Sequence, residues 1–315
     1  MKRIFVVAGL LALMLGLRTL GTEDDKGGAA LTLAAIGFVL LAAFALAELL
    51  ARAGLPKVTG YILSGVVLGP YVADVLSLDV VAEMRMFNTL AVGLIALTAG
   101  LELEIHALRR LARTLGATTL AKLLITVPLV ATTLIGVELL FHPLGMPDTT
   151  ATVALGLVFG ALAIGTSPAI ALAVVSETGA RGRLSELVLG AAVLKDLVVV
   201  VMMALAIAVA HSLVSGGAIG ADVLLHVGEE LGLSIVAGTA VGGLLIAYVR
   251  FIRAEMLLFV AALVLVVAEM ARAMHLELLL VCIVAGFVVR NFSKHEHDLL
   301  PPLQLVSLPV FVVFF

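Results

Sequence analysis

The sequence predicts an all-α polytopic membrane protein, and three observations carry that expectation. Of 315 residues, 63% are hydrophobic and only 13% are charged, where a soluble domain is nearer half apolar and a quarter charged. The mean hydropathy is +1.25. The apolar residues also come in continuous runs of about 20, the length a helix needs to cross a hydrocarbon core of about 30 Å. Such runs are too long and unbroken for the alternating strands of a membrane barrel. So little charge cannot cover a soluble surface of this size, which excludes a cytosolic enzyme, a nucleic-acid binder, a disordered tail and a collagen-like fibre. The net charge of −3 gives no reason to expect nucleic acid or another polyanion as partner. Cys282 is the single cysteine and sits in an apolar run, so it reads as a small core residue and not as part of a disulfide or metal cluster.

Taken in order, the candidate spans fall at 4–21, 29–51, 58–78, 86–103, 116–141, 150–176, 187–214, 230–249, 255–274 and 276–290, and a further run opens near 303. Met1-Lys2-Arg3 before an apolar stretch has the look of a signal peptide, but Arg18 interrupts the run and no Ala-x-Ala site precedes Thr22-Glu23-Asp24-Asp25. Residues 1–28 are therefore expected to be an N-terminal helix or signal-like segment, and 29–315 a transmembrane domain. Short connections force neighbouring spans to alternate in direction. With the N-terminus inside, Lys2, Arg3, Arg52, Lys57, Arg109, Arg110, Arg113, Arg181, Arg183, Arg250, Arg253, Arg290 and Lys294 fall on the cytoplasmic side. Arg18, Lys26, Arg85 and Arg272 fall outside, so the positive-inside bias agrees with the span pattern. The sequence stops partway through the apolar run 308–315, from which a C-terminally truncated chain is expected.

Charges inside lipid are costly and mark function. Lys122 and Lys195 lie within spans, and Lys195 precedes Asp196 in an otherwise apolar stretch. Counted from the start of its span near 187, Asp196 is about 13–14 Å deep at 1.5 Å per residue, close to the midplane. Its short side chain cannot reach the interface. Adjacent helical residues point about 100° apart, so Lys195 either lines the same cavity as Asp196 or locks the helix to a neighbour. The preceding span carries Gly165-Thr166-Ser167-Pro168 near mid-membrane. Pro168 lacks an amide hydrogen, disfavours helix at Ser167, and sits close after the permissive Gly165. An unwound stretch is expected there, with open carbonyls and the hydroxyls of Thr166 and Ser167. Backbone of that kind at membrane depth survives where it lines a cavity, as in the broken helices of secondary transporters. Hard oxygen ligands with one carboxylate suit an alkali cation or a proton, not zinc or copper. Glu48, Glu138, Glu255 and Glu269 lie near span ends, where solvation is expected, and Lys294-His295-Glu296-His297-Asp298 reads as a solvated loop. No His-Glu-x-x-His, Gly-x-Ser-x-Gly or phosphate-binding loop is present, so neither an enzyme nor a cofactor is expected.

The segment Val58-Thr59-Gly60-Tyr61-Ile62-Leu63-Ser64-Gly65-Val66-Val67-Leu68-Gly69-Pro70 resembles the Gly-Tyr-x-x-x-Gly-x-x-x-Gly-Pro signature of monovalent cation:proton antiporters. It is most similar to the branch of bacterial sodium/proton antiporters and potassium-efflux proteins, sodium/hydrogen exchanger-like in kind. Residues 94–103, Ala285-Gly286-Phe287-Val288-Val289-Arg290-Asn291 and the closing run 309–315 extend the likeness over nearly the whole chain after residue 30. The resemblance implies an inverted-repeat antiporter fold with a discontinuous crossover helix, core helices near 116–214 and scaffold helices including 58–78. It implies a homodimer in the inner or plasma membrane that exchanges Na+ or K+ for H+ by alternating access. On that likeness Asp196 binds the ion or proton with Thr166 and Ser167, Lys195 neighbours the site, and Pro168 and Gly165 break the helix. A ligand-gated potassium efflux system of the same fold, or a non-transporting sensor, are the alternatives. Two departures stand out: Lys195 occupies a position where Asp, Asn or Gln is usual, and the family's later crossover helix would lie beyond residue 315.

Overall fold

A computed structural model describes residues 9, 29–73, 76, 78–83, 85–146, 148–215, 221–252, 254–293, 303, 312 and 314. The expected first span at 4–21, the loop 294–298 and most of the run from 303 onward lie outside the described residues, as does the side chain of Asp196. Among the described residues the chain is helical throughout, with no strand. The helices are α1 (Ala29–Arg52), α2 (Lys57–Leu68), α3 (Leu78–Glu83), α4 (Arg85–Leu101), α5 (Ile105–Phe141), α6 (Thr149–Leu162), α7 (Pro168–Thr178), α8 (Arg183–Ser215), α9 (Ala221–Phe251), α10 (Met256–Met274) and α11 (Leu278–Phe292). Stretches of α5, α8, α9 and α10 are long and apolar enough to cross a membrane unaided, by length and composition.

Lipid as the outer solvent explains what these helices expose. Along α5, Leu120, Leu124, Ile125 and Leu129 point outward while Leu111, Leu115, Thr119 and Ala131 are buried. A helix that is apolar on its outer face as well as its inner one has no stable place in water. α5 runs 37 residues, about 55 Å at 1.5 Å per residue, so it overshoots the hydrocarbon. The overshoot is its first turns, where Arg109 and Arg110 are exposed. Pro128 lies inside α5, where its missing amide frees the Leu124 carbonyl, and the Thr132 hydroxyl back-bonds to the Pro128 carbonyl at 2.6 Å.

Two expectations differ from the structure. The run 58–78 is helical only to Leu68, because Gly69 is already extended (φ −69°, ψ 172°) ahead of Pro70; the residue before a proline is pushed out of the helical region. Glu138 is not solvated. It is 2% exposed, and its carboxylate accepts the amides of Leu144 at 3.0 Å and Met146 at 2.9 Å. Those bonds close the α5–α6 connection onto the end of α5, satisfying donors that the turn would otherwise leave open.

Packing sorts the helices into groups. α4, α9, α10 and α11 surround one apolar cluster that includes Leu97, Leu101, Leu245, Val260, Val281 and Val289. α5, α6 and α8 pack on one another, with Leu111, Leu115 and Ala191 at the α5–α8 seam. α1, α2, α4, α7 and α8 meet around Ala47, Tyr61, Ile95, Leu172 and Leu189. Glycine sets the closest approaches. A Cβ on Gly286 would collide with the Leu97 carbonyl, and one on Gly100 with the Ile283 carbonyl, so α4 and α11 touch backbone to backbone. Asn291 locks the same pair. Its Oδ1 accepts the Ile105 amide at 2.8 Å and its Nδ2 donates to the Leu103 carbonyl at 2.9 Å.

Candidate functional site: a broken helix beside two lysines

α6 ends at Leu162, and the chain does not resume a helix until Pro168. The amides of Ile164 and Gly165 turn back to Ala161 and Leu162 in tight turns of 3.3 and 3.1 Å. Pro168 then takes the first position of α7, where its missing amide costs nothing and its fixed φ suits the start of a helix. Ser167 is the N-cap, and its Oγ accepts the Ile170 amide at 3.3 Å. The proline therefore begins a second helix; it does not kink a continuous one. Between the two half-helices the Ile164 side chain is completely buried and Thr166 is half-buried. Gly179, with φ 61°, ends α7 in the left-handed conformation.

α5 and α8 bring charge to this break. The Lys122 ammonium on α5 donates to Thr166 Oγ1 at 3.4 Å, across 44 residues of sequence. Lys195 on α8 is 8% exposed and stands near Lys122. Thr119, one turn before Lys122, is buried, and its hydroxyl has no hydrogen-bond partner among the described residues. Of the expected site residues, Thr166 and Lys195 thus meet through Lys122. Ser167 is exposed and engaged in capping. Asp196 occupies the helical position after Lys195 in α8.

Lys122 is the residue that sequence reasoning did not place in the site. A lysine six residues inside an expected span was the available signal, but its contact with Thr166 depends on how α5 crosses the α6–α7 break. Chemically, the break offers a hydroxyl and main-chain carbonyls as hard oxygen ligands, the start of α7 as a local positive pole, and two amines as mobile positive charges. No group of three or more histidine, cysteine, aspartate or glutamate side chains forms a metal centre among the described residues.

An apolar cavity lies beside α8, lined by Val193, Val199, Val200, Leu231, Glu277 and Ile283. Val193 precedes position 196 by three residues, and Val199 and Val200 follow it by three and four.

The family model described as sodium/hydrogen exchanger, transmembrane, matches residues 32–315. No curated protein matches the chain. The match covers most of the sequence, and the chain belongs to the sodium/hydrogen exchanger family, a family of membrane transporters and not of enzymes.

Proposed function

We propose that this member of the sodium/hydrogen exchanger family exchanges a monovalent cation, Na+ or K+, for protons by alternating access at Asp196. The observation that carries the reading is the α6–α7 break, with Thr166 in contact with the half-buried Lys122 of α5 and the buried Lys195 of α8 standing next to the Asp196 position. A carboxylate binds either a proton or a cation, not both, so occupancy by one excludes the other. Exposing that single group first to one side and then to the other exchanges the two ions without a further coupling device. The Thr166 hydroxyl and the open carbonyls of the break supply oxygen ligands of the hardness an alkali cation prefers. Lys122 and Lys195 hold positive charge where the cation would otherwise stand, and they make way or rearrange when it arrives.

The direct test is Asp196→Asn in everted vesicles, followed with a pH-sensitive dye. The substitution keeps the side chain's size and removes its charge. Cation-driven dissipation of the proton gradient disappears in the variant and persists in the parent. A variant that still exchanges refutes Asp196 as the binding group.

One observation favours a second reading. Lys122 on the Thr166 hydroxyl, with Lys195 buried nearby, puts positive charge in a cation's seat, as expected of a non-transporting sensor. In that case the unaltered protein shows no cation-driven proton movement at any cation concentration.

A further inference from the structure

Away from the break, the far end of α7 makes a contact that the ion site does not require. Glu177, next to last in α7, accepts the backbone amide of Lys57 with both carboxylate oxygens, at 3.0 and 2.8 Å, across 120 residues of sequence. That amide belongs to the first turn of α2, where a helix leaves its donors open, and Pro56 before it offers no side-chain cap. One helix therefore caps another. A carboxylate is the favoured partner there, because it also faces the positive end of the helix dipole.

Four residues along α2 stands Tyr61. It is 3% exposed, packed among Ala47, Ile95 and Leu172. Its hydroxyl has no hydrogen-bond partner among the described residues, although a buried tyrosine ordinarily finds one. The Glu177 carboxylate stands at the start of the same helix, on the Lys57 amide four residues before Tyr61. α2 is fastened to α1 at Gly60, where a Cβ would collide with the Ala47 backbone. α7 packs on α2 much less extensively than α1 does.

We propose that Glu177 is a positioning residue with two seats on α2, the Lys57 amide and the Tyr61 hydroxyl one turn deeper, and that moving between them sets the register of α7 against α2 as the exchanger changes the side to which it opens. The proposal rests on the alternating-access reading above. The main chain rises about 6 Å from Lys57 to Tyr61, and because helical side chains lean toward the N-terminus that rise is the upper bound on the stroke. In the first seat the carboxylate is exposed and caps α2. In the second it gives up water and accepts a charge-assisted bond from the phenol, which offsets part of the desolvation. The hydroxyl left unmatched in one state is then matched in the other.

The experiment is a double-mutant cycle in proteoliposomes, with Asp196→Asn alongside. Removing an unmatched buried hydroxyl leaves a static fold equally stable or more so. Tyr61→Phe should therefore keep the thermal midpoint and the cation KM while slowing turnover at least about fivefold. In the Glu177→Ala background the same tyrosine substitution should have no further effect, because the group it serves is gone. Turnover at the parent rate in Tyr61→Phe, or an equal slowing with and without Glu177, overturns the proposal. Exchange that survives Asp196→Asn overturns the site reading itself; a dead Asp196→Asn variant beside a full-speed Tyr61→Phe variant sinks the two-seat device alone. Spin labels at the exposed positions Leu55 and Ala180 give a measurement that does not depend on how Tyr61→Phe folds. Two distance populations separated by up to about 6 Å are expected, and a single population under opposite cation gradients contradicts the proposal.

Discussion

At the break Lys122 of α5 reaches Thr166 at 3.4 Å while Lys195 of α8 stands buried nearby, and the Lys122–Thr166 bond is the contact that most bears on the site. An ammonium donating to Thr166 occupies an oxygen that a cation would need, and its charge repels the cation as well. Lys122→Gln keeps a hydrogen-bonding group of similar length and removes the charge. The cation KM of that variant should fall about tenfold, corresponding to ~1.4 kcal/mol, as read from exchange rate against cation concentration in proteoliposomes. An unchanged or higher KM would mean that Lys122 supports the site and does not compete for it. At this scale the sequence revealed the charges but not their partners. Lys195 and Asp196 announce themselves as charges in an apolar run. The Lys122–Thr166 contact joins residues 44 positions apart, and only the crossing of α5 over the break creates it. Glu138 shows the opposite error. Its place near a span end suggested solvation, yet the following loop folds back and buries it.

Among the elements, proline accounts for the features that local chemistry could foretell. Pro168 starts α7 and opens the gap after Leu162, and both consequences follow from a missing amide and a fixed φ. Pro70 ended α2 ten residues before the apolar run did, because hydrophobicity alone reports where lipid could be and not where the helix stops. The first turns of α5 were likewise invisible to a search for apolar spans, since Arg109 and Arg110 lie in water while the backbone stays helical. The α4–α11 seam depends on glycine. Gly286→Ala places a methyl group where the Leu97 carbonyl and the Leu101 amide already stand. It should lower stability by about 1–3 kcal/mol, the usual range for overpacking, visible as a lower melting temperature in detergent. Gly116→Ala, where no atom approaches within 4 Å of the added carbon, serves as the control, whose melting temperature should hold or rise because alanine favours the helix interior by about 0.5–1 kcal/mol.

For the whole molecule, positive charge and apolar length together set the expected path of the chain, and the helix packing adds what neither contains. α5, α6 and α8 form one packed set, α4, α9, α10 and α11 another, and α7 touches α2, α4 and α8. We propose that the first set, carrying the break and position 196, moves against the second, which would expose one carboxylate alternately to each side. If proton and cation compete for that carboxylate, protonation must weaken cation binding by the factor with which it removes the charged form. The most direct test is therefore the apparent cation KM measured across pH, with equal pH on both sides of the membrane. Below the carboxyl's pKa, KM should rise about tenfold for each unit of falling pH while the maximal rate at saturating cation stays constant; a KM indifferent to pH across the active range would contradict exchange at a shared carboxylate.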